Sequence, residues 1–200
     1  MNETAIATLR SAHPWPETKP DVPPNNGGWF GGSHHRAMLP FLHEGAYVLE
    51  CGAFLGRSTR WLAEHARHVV TIDHFAGSAE HQKHHIWKDV LPVLYETFRV
   101  NLWDYRDKVT ALKAHTWPGL LEVAASGYVP DMIYLDASHK AVDICADLCL
   151  SMRLWPNASI VGDDWGWVSV RTGVGMAFQE IVPKRRFEAQ DRCWTLSGEA

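Results

Sequence analysis

From about residue 46 the sequence alternates short apolar runs with stretches of helical periodicity, an order that few folds accept. Residues 46–50 (AYVLE), 68–73 (HVVTID), 108–112, 131–136 (DMIYLD) and 159–163 (SIVGD) read as strands. Helical patterns separate them: one ending near Ala66, one over 79–101 with a break at Pro92, one over 117–126 and one over 140–154. Apolar strands joined by helices build a parallel sheet covered on both faces. The end of the chain departs from this. After a helix over 172–182, residues 184–190 and 192–196 are separated by almost nothing, so they pair as an antiparallel hairpin. The expected fold is α/β, a Rossmann-like three-layer sandwich on a mostly parallel seven-stranded sheet closed by a C-terminal antiparallel hairpin.

Residues 13–33 carry Pro14, Pro16, Pro20, Pro23 and Pro24, then Gly27, Gly28, Gly31 and Gly32, a density that holds neither a helix nor a central strand. This divides the chain into an N-terminal arm, 1–44, either mobile or lying over the site, and a ligand-binding domain, 45–200. There is no internal repeat. A formal charge of −4 argues against binding driven by nucleic-acid phosphates. No apolar run approaches the roughly 18 to 20 residues of a membrane span. The opening MNETAIATLRSAHP has no secretory pattern. A cytoplasmic protein without nucleic-acid or membrane partners is expected, with a homo-oligomer left open. Cys51, Cys145, Cys149 and Cys193 form no CxxC pair and read as reduced structural thiols.

Three constellations carry chemistry. The first is Glu50-Cys-Gly52-Ala-Phe-Leu-Gly56-Arg-Ser58-Thr59, where the first strand turns into a helix. Glycine there lets backbone approach a ligand, and ligands of open α/β sheets bind beyond the carboxyl ends of the strands. The GxxxG spacing disfavours a dinucleotide, whose pyrophosphate wants GxGxxG. The second is Asp73, ending the second strand, where an acid holds the hydroxyls of a ribose. The third is Asp136-Ala-Ser-His139 with Asp163-Asp164. Asp136 and Asp163 end strands expected to be neighbours about 4.8 Å apart. Their carboxylates and that of Asp164 repel unless a cation or proton offsets them, and such oxygens suit a hard ion such as Mg²⁺. A metal there can lower the pKa of a substrate hydroxyl and orient its oxygen. His139, at the mouth of the same site, can take the hydroxyl proton.

Together these residues resemble the class I S-adenosylmethionine-dependent methyltransferases. ExGxxxGxS is similar to the first motif of that family. DMIYLDASH followed by GDDW resembles the metal-dependent branch of catechol and macrocin-type O-methyltransferases. The resemblance covers about 45–197. It implies an enzyme that methylates a small hydroxylated molecule (sugar, phenol or other natural product) with S-adenosyl-L-methionine and Mg²⁺ or another divalent cation. It implies that Glu50, Gly52, Ala53, Phe54, Gly56, Ser58 and Thr59 surround the methionine part of the cofactor. Asp73 would hold the ribose with His74 beside it, and His115, Thr116 and Trp117 would lie by the adenine. Asp136, Asp163 and Asp164 would be metal ligands, with Asp136 and His139 catalytic. His139 falls where the catechol enzymes place a catalytic lysine.

Other readings stay open: a metal-independent methyltransferase with His139 as base, a nicotinamide-dependent oxidoreductase, and a non-catalytic nucleoside-binding module. Trp165 and Trp167, two of ten tryptophans, are candidates to face the sulfonium or simply to pack. His81 and His85 are spaced to share a helical face, but without an HExxH glutamate they read as exposed or substrate-facing rather than zinc-binding. Lys184-Arg185-Arg186 reads as a solvated strand end, and Gly173 and Gly175 as a loose helix start.

Overall fold

A computed structural model describes residues 2–181 and 185–198. Seven strands form one sheet in the order β3-β2-β1-β4-β5-β7-β6. They are β1 (Tyr47–Cys51), β2 (His68–Asp73), β3 (Val109–Lys113), β4 (Met132–Leu135), β5 (Ser159–Gly162), β6 (Arg186–Gln190) and β7 (Cys193–Ser197). The first five pair in parallel, and β7 runs antiparallel to both β5 and β6. This is the expected Rossmann-like architecture. Strand order reverses between β1 and β4, which opens a crevice at their carboxyl ends.

Alternating side chains serve two cores. Leu49, Val70, Ile133 and Ile160 face one, with helices α1 (Asn2–Ala12), α6 (Thr116–Ala125), α7 (Ala141–Leu154) and α8 (Val168–Glu180). Val48, Val69, Met132 and Val161 face the other, with α2 (Gly32–Met38), α3 (Arg57–His65) and α5 (Leu94–Asn101). Burial on both faces is what excludes polar alternation from these strands.

Several local expectations change. The arm holds two helices. Ala5, Ile6 and Leu9 of α1 are buried in the first core, and the Asn2 side chain exchanges two hydrogen bonds of 2.8 Å with the Val129 backbone. The stretch 79–101 is not one broken helix: α4 (Ala79–Lys83) is followed by 3₁₀ turns at His85–Trp87 and Leu91–Val93 before α5 begins. Pro92 sits in the second of those turns, where its missing N–H costs least. Because α4 ends at Lys83, His81 and His85 share no helical face. Helix α8 starts at Val168, so Gly173 and Gly175 lie inside it. A Cβ on Gly173 would stand 2.6 Å from the Ala141 carbonyl oxygen and 2.8 Å from Ile144 Cβ, so this glycine lets α7 and α8 approach closely. Residue 182 and Lys184, the ends of two expected elements, lie outside the described residues.

Candidate active site

The glycine-rich turn is held from below and from the side. Glu50 is fully buried, and its two oxygens accept hydrogen bonds of 2.5 Å from the Ser58 and Thr59 hydroxyls. Burial pushes its carboxyl up to about 7 against the pull of those hydroxyls. These three residues thus pin α3 to β1 beneath the turn. Asp73 accepts N–H bonds from Ala53 (2.9 Å), Phe54 (2.8 Å) and Phe75 (2.6 Å), so its carboxylate orders the turn from the neighbouring strand. Gly52 has φ +93°, and a Cβ there would overlap the Asp136 carbonyl oxygen. Gly56, at φ +81°, leaves no room for a Cβ beside Leu102.

Aromatic rings lie over this turn. Phe54 (φ +48°) stacks on His81 at 3.9 Å between ring centroids, and Trp29 of the arm packs on both. Arg57 donates to the Gly28 carbonyl at 3.1 Å, tying arm to turn. Farther along the sheet edge, His74 and His115 have ring centroids 5.3 Å apart. Thr116 opens α6, and Trp117 is half exposed beside them.

At the other side of the crevice, the ladder runs straight into the acidic residues. Leu135 pairs with Gly162, the Asp136 N–H donates to Cys51 O at 2.8 Å, and the Asp163 N–H donates to Leu135 O at 3.2 Å. Asp136 and Asp163 therefore stand side by side at the strand tips. Asp164 follows in the left-handed region, φ +55°. Each carboxylate has one oxygen held by a different donor. Tyr134 OH donates to Asp136 Oδ2 (3.1 Å), His34 Nε2 to Asp163 Oδ2 (2.8 Å) and His139 Nε2 to Asp164 Oδ2 (2.9 Å). The Gly31 N–H donates to His34 Nδ1 at 3.0 Å, which leaves the proton on Nε2 for Asp163. Arg192 reaches Asp164 Oδ1 at 2.7 Å and Asp163 Oδ1 at 3.7 Å.

The three acids are close in space but not one donor set. Donor atoms of Asp136, His139 and Asp164 lie within 4.8 Å of one another, while Asp163 groups instead with His34 and Cys193. Burial, reinforced by Asp163 and Asp164, pushes the Asp136 carboxyl well above its ordinary value. Burial would raise Asp164 too, but His139 and Arg192 outweigh it and hold that carboxyl low. The hydrogen bond to Asp164 raises His139, whose Nδ1 is buried without a partner. A cavity of about 20 Å³ lies here, lined by Asp136, His139, Asp147 and Asp163 among others. The carboxylate oxygens of Asp136 and Asp164, within 4.8 Å of each other, fit a divalent cation, and the under-compensated Asp136 is the group whose charge such an ion would balance.

Trp167 packs on His139 at 4.6 Å, whereas Trp165 packs on Phe187 of the hairpin. His34, Tyr134 and Arg192 were not expected at the site. His34 is 129 residues from its partner Asp163, and no local spacing signals such a contact.

No curated protein sequence matches the chain. Solved structures do resemble it in fold. An O-methyltransferase from Bacillus cereus in complex with SAH aligns at 19% identity over 98% of this chain and 90% of its own, with a TM-score of 0.56. A precorrin 8W decarboxylase from Methanobacterium thermoautotrophicum aligns at 14% identity over 91% and 100%, with a TM-score of 0.61. The calicheamicin methyltransferase CalS11 aligns at 12% over 82% and 76%, with a TM-score of 0.57. In sequence, residues 49–165, more than half of the chain, match a family described as methyltransferase domain. That span runs from the first strand through the Asp163-Asp164 pair, and on it the chain belongs to the methyltransferase-domain family, as an S-adenosylmethionine-dependent methyltransferase.

Proposed function

We propose that the chain transfers a methyl group to the oxygen of a small hydroxylated molecule, and that the acidic cluster at the tips of β4 and β5 is where that hydroxyl is activated. The observation that carries this reading is the His139–Asp164 pair beside Asp136. With Nε2 donating to Asp164, His139 keeps a lone pair on Nδ1, and the carboxylate stabilises the imidazolium formed when that atom takes a proton. The hydroxyl proton goes to His139 Nδ1 as the oxygen attacks. Tyr134 and Arg192 hold the flanking carboxylates in place. Bound S-adenosylmethionine supplies an electrophilic methyl group, placed by the turn at Gly52 and by Asp73. The aromatic layer of Trp29, Phe54 and His81 excludes water from above that turn. Asp136 and Asp164, with Asp163 beside them, would hold a divalent cation such as Mg²⁺, which supplies Lewis acidity toward the hydroxyl.

A second reading needs no metal, and Arg192 favours it: a guanidinium already bridges two of the acids. One assay separates the two. Purified protein, S-adenosylmethionine and a panel of catechols, sugars and other alcohols are followed by S-adenosylhomocysteine formation, with and without EDTA. Turnover abolished by EDTA and restored by Mg²⁺ supports the metal reading, and turnover indifferent to EDTA supports the other. Methylation confined to amines would overturn the proposal.

A further inference from the structure

Arg192 sits at the tip of the hairpin joining β6 and β7, in a place the fold has fixed. Asp191 before it adopts φ +55°, and its carboxylate pairs with Arg36 of α2 at 2.7 Å. The Arg192 carbonyl accepts the Trp165 N–H at 2.7 Å, next to Asp164. Main chain on both sides therefore aims the guanidinium at the strand tips. Its Nη2 lies 2.7 Å from Asp164 Oδ1 and its Nε 3.7 Å from Asp163 Oδ1, while the two carboxylates keep only 11% and 5% of their side-chain exposure. The Arg192 side chain, 48% exposed, lies over them.

A guanidinium and a divalent ion cannot share the same carboxylate oxygens without repulsion. We propose that Arg192 is the counter-cation of the ion-free acidic centre and competes with a divalent ion for Asp164. The inference rests on the reading that this centre takes an ion. It gives the hairpin a function: a tethered positive charge offsets Asp163 and Asp164 when no ion is bound, and it sets how much ion is needed to fill the centre. His34 and His139 donate to the Oδ2 atoms of the same two acids, so Asp164 Oδ1 is left to Arg192, while Asp163 Oδ1 is shared between Arg192 and the Cys193 thiol at 4.0 Å.

The test is Mn²⁺ binding by calorimetry to the full chain, with S-adenosylhomocysteine affinity as the check on folding. R192Q and R192A should bind Mn²⁺ about tenfold or more tightly than the natural protein. R192K, which keeps the charge, should stay near it, and cofactor affinity should stay within about threefold in all three. If the natural protein binds Mn²⁺ and neither neutral variant binds more tightly, the competition is wrong while the metal reading stands. If no variant binds Mn²⁺ at all, both fall. Should one neutral variant lose S-adenosylhomocysteine binding, the other decides.

Discussion

Gly52 and Asp136 touch main chain to main chain: the Cα of the glycine lies where any side chain would overlap the aspartate's carbonyl oxygen. This contact joins the glycine-rich turn to the acidic tip across the crevice between β1 and β4. Gly52→Ala must displace backbone on one strand or the other and also carry φ +93°. We expect a loss of about 3 kcal/mol or more in urea unfolding, together with loss of S-adenosylhomocysteine binding by calorimetry. A variant with native stability and affinity would mean that the two strand tips are not coupled.

Asp163 lies at the acidic tip, away from the turn that Asp73 orders. Asp163→Ala should therefore lower methyl transfer by about 100-fold, with cofactor affinity changed by no more than about threefold. Equal losses in rate and affinity would contradict a role on the acceptor side.

Glu50 makes stability depend on pH. Burial raises its folded value from 4.5 to about 7, so the folded state holds the proton more tightly than the unfolded one. That contribution is fully present below 4.5 and is lost as pH rises through about 7. Relative to Glu50→Gln, the natural protein should lose up to about 3 kcal/mol between about pH 4 and about pH 8 in urea unfolding. A gap that stays constant with pH would show that burial does not raise the Glu50 carboxyl.

Gly173 separates stability from chemistry. Gly173→Ala presses on the Ala141 carbonyl and Ile144 where α8 crosses α7, and should cost about 2 kcal/mol by overpacking. The turn at Gly52 is held by Asp73 and by the Glu50–Ser58 contact rather than by either helix, so S-adenosylhomocysteine affinity should be unchanged. Melting temperature and calorimetry together check this.

The sheet was legible because each strand is a compact apolar run with helical periodicity on either side, and because 184–190 and 192–196 leave no room for a crossover. The acids were legible for the same reason: Asp136 and Asp163 end strands whose adjacency follows from one intervening helix. What was not legible depended on contacts between distant segments. Nothing in GSHHRAM indicates that His34 meets Asp163, and nothing near Arg192 indicates that its guanidinium reaches Asp164. Helix α1 escaped notice because only Ala5, Ile6 and Leu9 are buried from it, and their value comes from the surface they cover. The glycines of α8 were read from conformational preference, which cannot report that α7 is pressed against Gly173.

The geometry of His34 and Arg192 bears on any attempt to excise a minimal domain. The segment shared with the family, 49–165, contains Asp136, Asp163 and Asp164. The imidazole and the guanidinium that engage Asp163 lie upstream and downstream of it. A fragment trimmed to those borders would retain the negative charges and discard two of the groups opposing them, so portability of this centre requires both flanks.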